Sequence, residues 1–143
     1  DAAVSAWHHL GKIPGFFEDA TDIRDAARLY AQKHWGELLR HARAAGRTLG
    51  PRYMELAYED YKADPESVVA RLFEFCNLPA EAALVRQAIE ANTFERRSGG
   101  RQPGQEADSF HRKGIVGDWQ NYFTPEEGDE LIRLAQERVA TPV

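Results

Sequence analysis

The chain has 143 residues, of which 43% are hydrophobic and 29% charged, and its formal net charge is −5. These values are ordinary for one globular domain, and the acidic balance argues against DNA or RNA as a partner. No apolar run approaches the length of a membrane span, and the single cysteine, Cys76, excludes an internal disulfide. We therefore expect a cytoplasmic protein that binds neither nucleic acid nor a membrane.

The first third of the chain is predicted to be helical. Good helix formers predict a helix over Asp1 to Leu10, and a loop follows from Lys12 to Thr21. Apolar residues at three- and four-residue steps predict a long helix from Asp22 to Ala45. Asp22 can cap its start, and Gly46 is expected to end it.

One segment has the pattern of a strand. Arg52 to Tyr58 alternates between its two faces and follows Gly50 and Pro51. A single strand cannot form a sheet, because its backbone groups need neighbouring strands. The pattern therefore predicts one strand of a sheet that this chain does not complete.

The second half is predicted to contain three more helices. Asp64 can cap an apolar helix that begins at Pro65, and Cys76 is expected to be buried on its inward face. A second helix is predicted over Glu81 to Ala91. Thr124 to Glu127 has the pattern of a capping box, which predicts the start of the last helix.

A loop rich in glycine and cations separates the last two of these helices. Residues Glu95 to Gly114 carry a net charge of +2, so the rest of the chain carries −7. Cations beside a glycine, as in Arg112-Lys113-Gly114, suit an oxyanion such as a phosphate. Trp119, Tyr122 and Phe123 are predicted to anchor the end of the loop to the core. The alternative interpretation is a solvated basic loop.

The segment RKGIVGDWQNYFT resembles the C-terminal signature of the sulfotransferases that use 3′-phosphoadenosine-5′-phosphosulfate (PAPS). That signature is close to R-K-G-x-x-G-D-W-x-N-x-F-T. In the family this loop holds the 3′-phosphate of the nucleotide. The resemblance therefore implies that Arg112, Lys113 and the backbone of Gly114 bind this phosphate.

Three further segments resemble the same family and occur in the family's order. DAAVS resembles the segment that carries a phosphate-binding serine, which implies this role for Ser5. YED-x-x-x-DP resembles the segment whose tyrosine lies against the nucleotide, which implies this role for Tyr58. NTF resembles a segment that contacts adenine, which implies stacking by Phe94. Asn92 stands where the family often has threonine, and its amide can also hydrogen-bond adenine.

The resemblance covers residues 1–143 as one partial domain. It implies an α/β fold, namely the C-terminal, mostly helical half of a P-loop-like three-layer sulfotransferase fold with a central parallel sheet. The N-terminal half, which holds the phosphosulfate loop and the catalytic base in the family, is expected to be absent. No catalytic residue can then be assigned in this chain, and the isolated chain is expected to be inactive.

The implied function is transfer of a sulfuryl group from PAPS to a hydroxyl or amine of a small-molecule or other acceptor, which leaves 3′-phosphoadenosine-5′-phosphate. The alternative is a non-catalytic, truncated or degenerate nucleotide-binding or interaction module. His34 and His41 share a helix face without a Cys/His cluster, so no metal site is expected. A family dimerisation pattern keeps only Thr124, which leaves the oligomeric state open.

Overall fold

The computed structural model describes residues 1–141, and these residues form two compact units. The first unit contains residues 1–50 and 117–141, and the second contains Pro51–Val116. The α-helices within residues 1–141 are Ala2–Leu10 (α1), Ile23–Leu29 (α2), Gly36–Leu49 (α3), Tyr58–Ala63 (α4), Pro65–Phe75 (α5), Ala82–Ala91 (α6), Phe94–Arg97 (α7) and Pro125–Ala140 (α8). None of the helices in this part of the chain is both long and apolar enough to cross a membrane.

The long helix predicted from Asp22 is confirmed, with a different end. Asp22 caps α2, because its Oδ1 accepts from the backbone N–H groups of Arg24 at 2.8 Å and Asp25 at 3.0 Å. A π-helical segment, Tyr30–Trp35, joins α2 to α3. The predicted end at Gly46 is wrong, since Gly46 is buried inside α3. The helix ends instead at Leu49, and the next residue, Gly50, has a φ of 54°, which favours glycine.

The core of the first unit lies between α1, α2 and α8. Val4, Ala27 and Phe123 form one buried cluster, against which Trp119 and Leu131 pack. Trp119, Tyr122 and Phe123, which follow the loop, thus lie in this core or pack against it. The predicted capping box of α8 is confirmed, with Thr124 Oγ1 accepting from the N–H of Glu127 at 3.3 Å.

The second unit contains α4 to α7 and has a small core. Asp64 caps α5 as predicted, since its Oδ1 accepts from the N–H of Ser67 at 3.1 Å. Val68 and Val85, on α5 and α6, are its buried hydrophobic residues within the described part of the chain. The predicted burial of Cys76 is wrong, because the thiol is exposed. Helix α5 ends at Phe75, so Cys76 lies beyond the helix face that was expected to bury it.

The predicted α/β fold with a central parallel sheet is wrong for this chain. Residues 1–141 contain no strand, and the segment predicted as one has no regular structure over residues 53–57. Tyr58, the last residue of that segment, is the first residue of α4. The physical reason is that strand pairing needs a second extended segment, and the alternating pattern of 52–58 has no counterpart in this chain.

Candidate functional site

A cavity of about 470 Å³ lies within the second unit and is lined by residues of α4, α6, α7 and the loop that follows α7. Four of the residues implicated by sequence line it: Tyr58, Asn92, Phe94 and Gly114. Its size falls in the range of small-molecule pockets. We call it the second-unit cavity.

Helix α4 supplies one wall of the second-unit cavity. Tyr58, Tyr61 and Lys62 all line it, because residues three and four positions apart share a helix face. Partial burial raises the pKa of Tyr58 above that of free tyrosine, and the nearby Tyr61 and Glu59 raise it further. The phenol is therefore neutral near pH 7 and can donate a hydrogen bond. Tyr61 and Lys62 were not predicted from the sequence, although their spacing from Tyr58 is typical of one helix face.

Asn92 directly follows α6 and lines the second-unit cavity. Its Nδ2 donates to the carbonyl of Ala88 at 2.9 Å, which ties the amide to the last turn of the helix. An amide carries two N–H donors and one acceptor oxygen, so this bond leaves it with further hydrogen-bonding capacity. Asn92 can therefore contact a polar heterocycle in the cavity.

Phe94 and Gly114 meet at the wall of the second-unit cavity. Thr93 caps α7 by accepting from the N–H of Arg96 at 3.4 Å, and this places Phe94 at the first helical position. A Cβ atom on Gly114 would come within 2.6 Å of Cε2 of Phe94, and Gly114 has a φ of +66°. Glycine is thus required there both by the backbone conformation and by the aromatic ring. Lys62 Nζ donates to the carbonyl of Gly114 at 3.0 Å.

Arg112 and Lys113, which we call the cation pair, do not belong to the lining of the second-unit cavity, although they precede Gly114 in the chain. Their side chains are only 11% and 14% exposed, and both contact Glu106. Arg112 Nη1 lies 2.9 Å from Glu106 Oε1, and Lys113 Nζ lies 3.4 Å from Oε2. The hydrogen bond from Arg112, with a contribution from Lys113, holds the pKa of Glu106 below its usual value. The cation pair therefore binds an anionic group in this structure.

Arg101 organises the loop that carries the cation pair. Its guanidinium donates to the carbonyls of Gln105 and Arg112, both at 3.0 Å, and to the carbonyl of His111. It also lies 5.4 Å from the centroid of the Phe94 ring. From the sequence, Arg101 was predicted only to be one cation of a basic segment. No local pattern could have found this role, because its acceptors lie up to 11 residues away in an irregular loop.

Ser5 belongs to the first unit, whereas the other six implicated residues belong to the second. It is an exposed residue of α1. The signature loop is also divided, since RKG lies in the second unit and GDW in the first. There the backbone N–H groups of Gly117 and Trp119 donate to the Asp1 carboxylate at 2.7 and 3.0 Å. The GDW part of the signature therefore fixes the start of α1.

Metal-binding residue types do not gather within residues 1–141, where no group of three or more His, Cys, Asp or Glu side chains could hold an ion. The chemistry available in the second-unit cavity and at the cation pair is aromatic contact, amide hydrogen bonding and binding of an oxyanion.

Comparison with known proteins gives one family. The sulfotransferase domain model matches residues 1–141. The chain is 27% identical to cytosolic sulfotransferase 5 of Arabidopsis thaliana, over 97% of the chain and 48% of that protein. It is 29% identical to flavonol 3-sulfotransferase of Flaveria bidentis, over 97% of the chain and 51% of that protein. The chain thus spans about half the length of the curated relatives that it matches. No solved structure matches it.

Proposed function

The chain belongs to the sulfotransferase domain family, and we propose that it is the nucleotide-binding, C-terminal half of an enzyme that transfers a sulfuryl group from PAPS to an acceptor hydroxyl or amine. The match to the family model over residues 1–141 supports one partial domain that includes both units. The coverage of about half of each relative supports the assignment to one half of the enzyme.

The observation that carries this proposal is a pair of largely buried cations beside an aromatic cavity in one compact unit. Arg112 and Lys113 hold the carboxylate of Glu106, so their donors are already arranged around an anion. We assign the 3′-phosphate to this pair because charge-assisted hydrogen bonds favour an oxyanion. We assign the adenine to the second-unit cavity, where Phe94 supplies a ring and Asn92 an amide.

The donor set fits the nucleotide without supplying the chemistry of transfer. PAPS brings the sulfuryl group, and the residues assigned in this chain bind and orient the nucleotide. Tyr58 is proposed to lie against the nucleotide, since it is neutral and lines the same cavity. Ser5 is proposed as a further phosphate contact, and only the resemblance of DAAVS supports it. No residue is assigned as the catalytic base.

The names of the relatives support proposals for the cellular location of the protein and for its acceptor. Cytosolic sulfotransferase 5 is cytosolic by its name, and flavonol 3-sulfotransferase acts on a flavonol by its name. We propose a cytoplasmic protein and a small-molecule acceptor that carries a hydroxyl group. The oligomeric state stays open.

The test is the binding of two nucleotides to a variant of the cation pair. We expect Arg112→Ala to weaken adenosine 3′,5′-bisphosphate by about ten- to a hundred-fold, the usual effect of losing a hydrogen bond to a charged group. Adenosine 5′-monophosphate lacks the 3′-phosphate, so its affinity should stay unchanged. Titration calorimetry with both nucleotides measures these affinities.

Arg71→Ala is the matched control, because it removes an exposed arginine of α5 in the same unit. It should leave both affinities near those of the wild type. Equal losses for both nucleotides in Arg112→Ala, or no loss for either, would contradict the proposed function.

A further inference from the structure

The cation pair and Glu106 differ in how far they are exposed to solvent. Arg112 and Lys113 keep 11% and 14% of their side-chain surface exposed, whereas Glu106 keeps 50%. The two carboxylate oxygens are shared between the cations, at 2.9 Å from Arg112 and 3.4 Å from Lys113. The two cations are therefore largely buried, whereas the carboxylate of Glu106 is open to solvent.

We propose that Glu106 is a specificity-determining residue that takes the place of the phosphate at the cation pair, and that a nucleotide 3′-phosphate binds by displacing its carboxylate. This inference rests on the proposed function, because it takes Arg112 and Lys113 as the phosphate ligands. A phosphate monoester carries more negative charge than a carboxylate and has three acceptor oxygens rather than two. A nucleotide without a 3′-phosphate has no anionic group at this position, so it cannot replace the carboxylate of Glu106 at the two cations.

The loop is built so that Glu106 can leave while the cation pair stays in position. Arg101 holds the carbonyl of Arg112 at 3.0 Å, and the N–H of Gly104 donates to the carbonyl of Lys113 at 2.8 Å. Both bonds fix the backbone of the cation pair independently of Glu106. The Glu106 side chain is half exposed and can rotate into solvent without opening the core.

The charge state of Glu106 makes it an effective competitor near neutral pH. The hydrogen bond from Arg112 and the charge of Lys113 keep the pKa of the carboxyl below its usual range. Glu106 is then ionised wherever the 3′-phosphate is a dianion, near pH 7 and above. Competition at the cation pair thus operates under the conditions in which nucleotides bind.

The decisive ligand is adenosine 3′-monophosphate, which presents adenine and a 3′-phosphate alone. We expect Glu106→Gln to bind it about five-fold or more tightly than the wild type, because a competing ion pair and a repelling charge are both removed. Glu90→Gln is the matched control, since it removes the same charge from an exposed position of α6 in the same unit. The affinity of Glu90→Gln for adenosine 3′-monophosphate should differ from that of the wild type by less than about two-fold, because surface charges are screened at physiological salt. Titration calorimetry measures all three proteins at one salt concentration.

The outcomes separate this inference from the proposed function. If the wild type binds and Glu106→Gln binds no more tightly, Glu106 only braces the loop, and this inference falls while the proposed function stands. If Glu90→Gln gains as much affinity for adenosine 3′-monophosphate as Glu106→Gln does, this inference is also overturned, because the change in net charge would then explain the effect. If neither the wild type nor Glu106→Gln binds adenosine 3′-monophosphate, both proposals fall.

A second measurement needs no variant. The pKa of the Glu106 carboxyl, followed by carbon-detected NMR, should rise when the wild-type chain is saturated with adenosine 3′-monophosphate. The phosphate would take over the two cations and place a negative charge near the carboxyl. A pKa that is the same with and without bound nucleotide would overturn the inference.

Discussion

At the scale of single residues, the contact between Phe94 and Gly114 joins the second-unit cavity to the cation pair. Phe94 belongs to the cavity wall, and Gly114 directly follows Lys113 in the chain. The ring lies so close to the glycine Cα that a Cβ atom would meet Cε2 at 2.6 Å. The position of the aromatic ring and the path of the loop that carries the cation pair are therefore coupled through this contact.

We predict that Gly114→Ala destabilises the chain by more than Gly99→Ala does. Both glycines have positive φ, +66° and +76°, so each substitution should cost about 1–2 kcal/mol for the left-handed backbone. Gly99 has no atom within 4 Å of the added Cβ, whereas Gly114 has the Phe94 ring. The additional loss of unfolding free energy in Gly114→Ala measures the cost of the clash between the new Cβ atom and the Phe94 ring. Urea denaturation gives both free energies of unfolding.

A double variant checks the cause. Phe94→Ala removes the ring, so adding Gly114→Ala to it should then cost no more than Gly99→Ala costs in the wild type. If Gly114→Ala and Gly99→Ala have equal effects in the wild type, the contact with Phe94 has no energetic importance.

The residues of the site were predictable to different degrees from sequence. Tyr58, Asn92, Phe94 and Gly114 were implicated by short motifs, and they line one cavity. Glu106 was not, because its contact with the cation pair depends on how an irregular loop folds back over six residues. Resemblance to a family points to residues that the family shares, whereas the contact between Glu106 and the cation pair appears only in the folded chain.

At the scale of helices, Glu37 connects α3 to α8 in the first unit. Its carboxylate accepts hydrogen bonds from Arg40 on α3 and from Arg138 on α8. The hydrogen bond from Arg40, followed by that from Arg138, lowers the pKa of Glu37 from 4.5 to about 2. The ionised carboxylate therefore stabilises the folded state, and its protonation weakens the connection between the helices.

We predict that Glu37→Gln lowers the melting temperature at pH 7 and that the difference from the wild type narrows as the pH falls from 4.5 towards 2. The stabilisation by Glu37 decreases at low pH because the pKa of its carboxyl is lower in the folded chain than in the unfolded chain. The stabilisation is then complete above pH 4.5 and is lost as the folded-state carboxyl is protonated. Circular dichroism melts across this pH range measure it.

Glu137→Gln is the control on α8. Glu137 pairs with Arg133 of the same helix at 2.6 Å, and both side chains are 59% exposed. Loss of this ion pair should therefore change the melting temperature only slightly. A difference between Glu37→Gln and the wild type that stays constant from pH 7 to pH 3 would contradict the prediction.

The helices were largely predictable because their signals are local. Asp22, Asp64 and Thr124 each cap a helix with a side-chain oxygen, as their position before an apolar periodic segment predicted. The strand was not predictable in the same way. Residues 52–58 can form a strand only if a second extended segment pairs with them, and the alternating pattern of residues 52–58 does not show whether such a segment exists.

At the scale of the whole molecule, the two units differ in how much apolar surface they bury. The first unit buries Val4, Phe17 and Phe123 together with several alanines, whereas the second buries only Val68 and Val85 among its described hydrophobic residues. Leu72 and Phe75 of the second unit keep 37% and 38% of their surface exposed. The unit that contains the candidate nucleotide site therefore has the smaller core and should open more readily.

We predict that the 143-residue chain by itself binds adenosine 3′,5′-bisphosphate without transferring sulfate. Transfer needs a base that takes the acceptor's proton and cations that stabilise the departing 5′-phosphate. The residues assigned in this chain are proposed to contact only the 3′-phosphate and the adenine, and the chain spans about half of each relative. Incubation with ³⁵S-labelled PAPS and a phenolic acceptor should give no labelled product above a no-protein control.

A full-length relative in the same assay is the positive control for the donor and the acceptor. Binding is measured in parallel by calorimetry, so that loss of the fold is not mistaken for lack of catalysis. Labelled product from the wild-type chain that disappears in Arg112→Ala would contradict the prediction, because the chain would then hold both the nucleotide site and the groups that catalyse transfer. Product that persists unchanged in Arg112→Ala would come from a contaminating enzyme, since the variant is expected to lose most of its affinity for the 3′-phosphate.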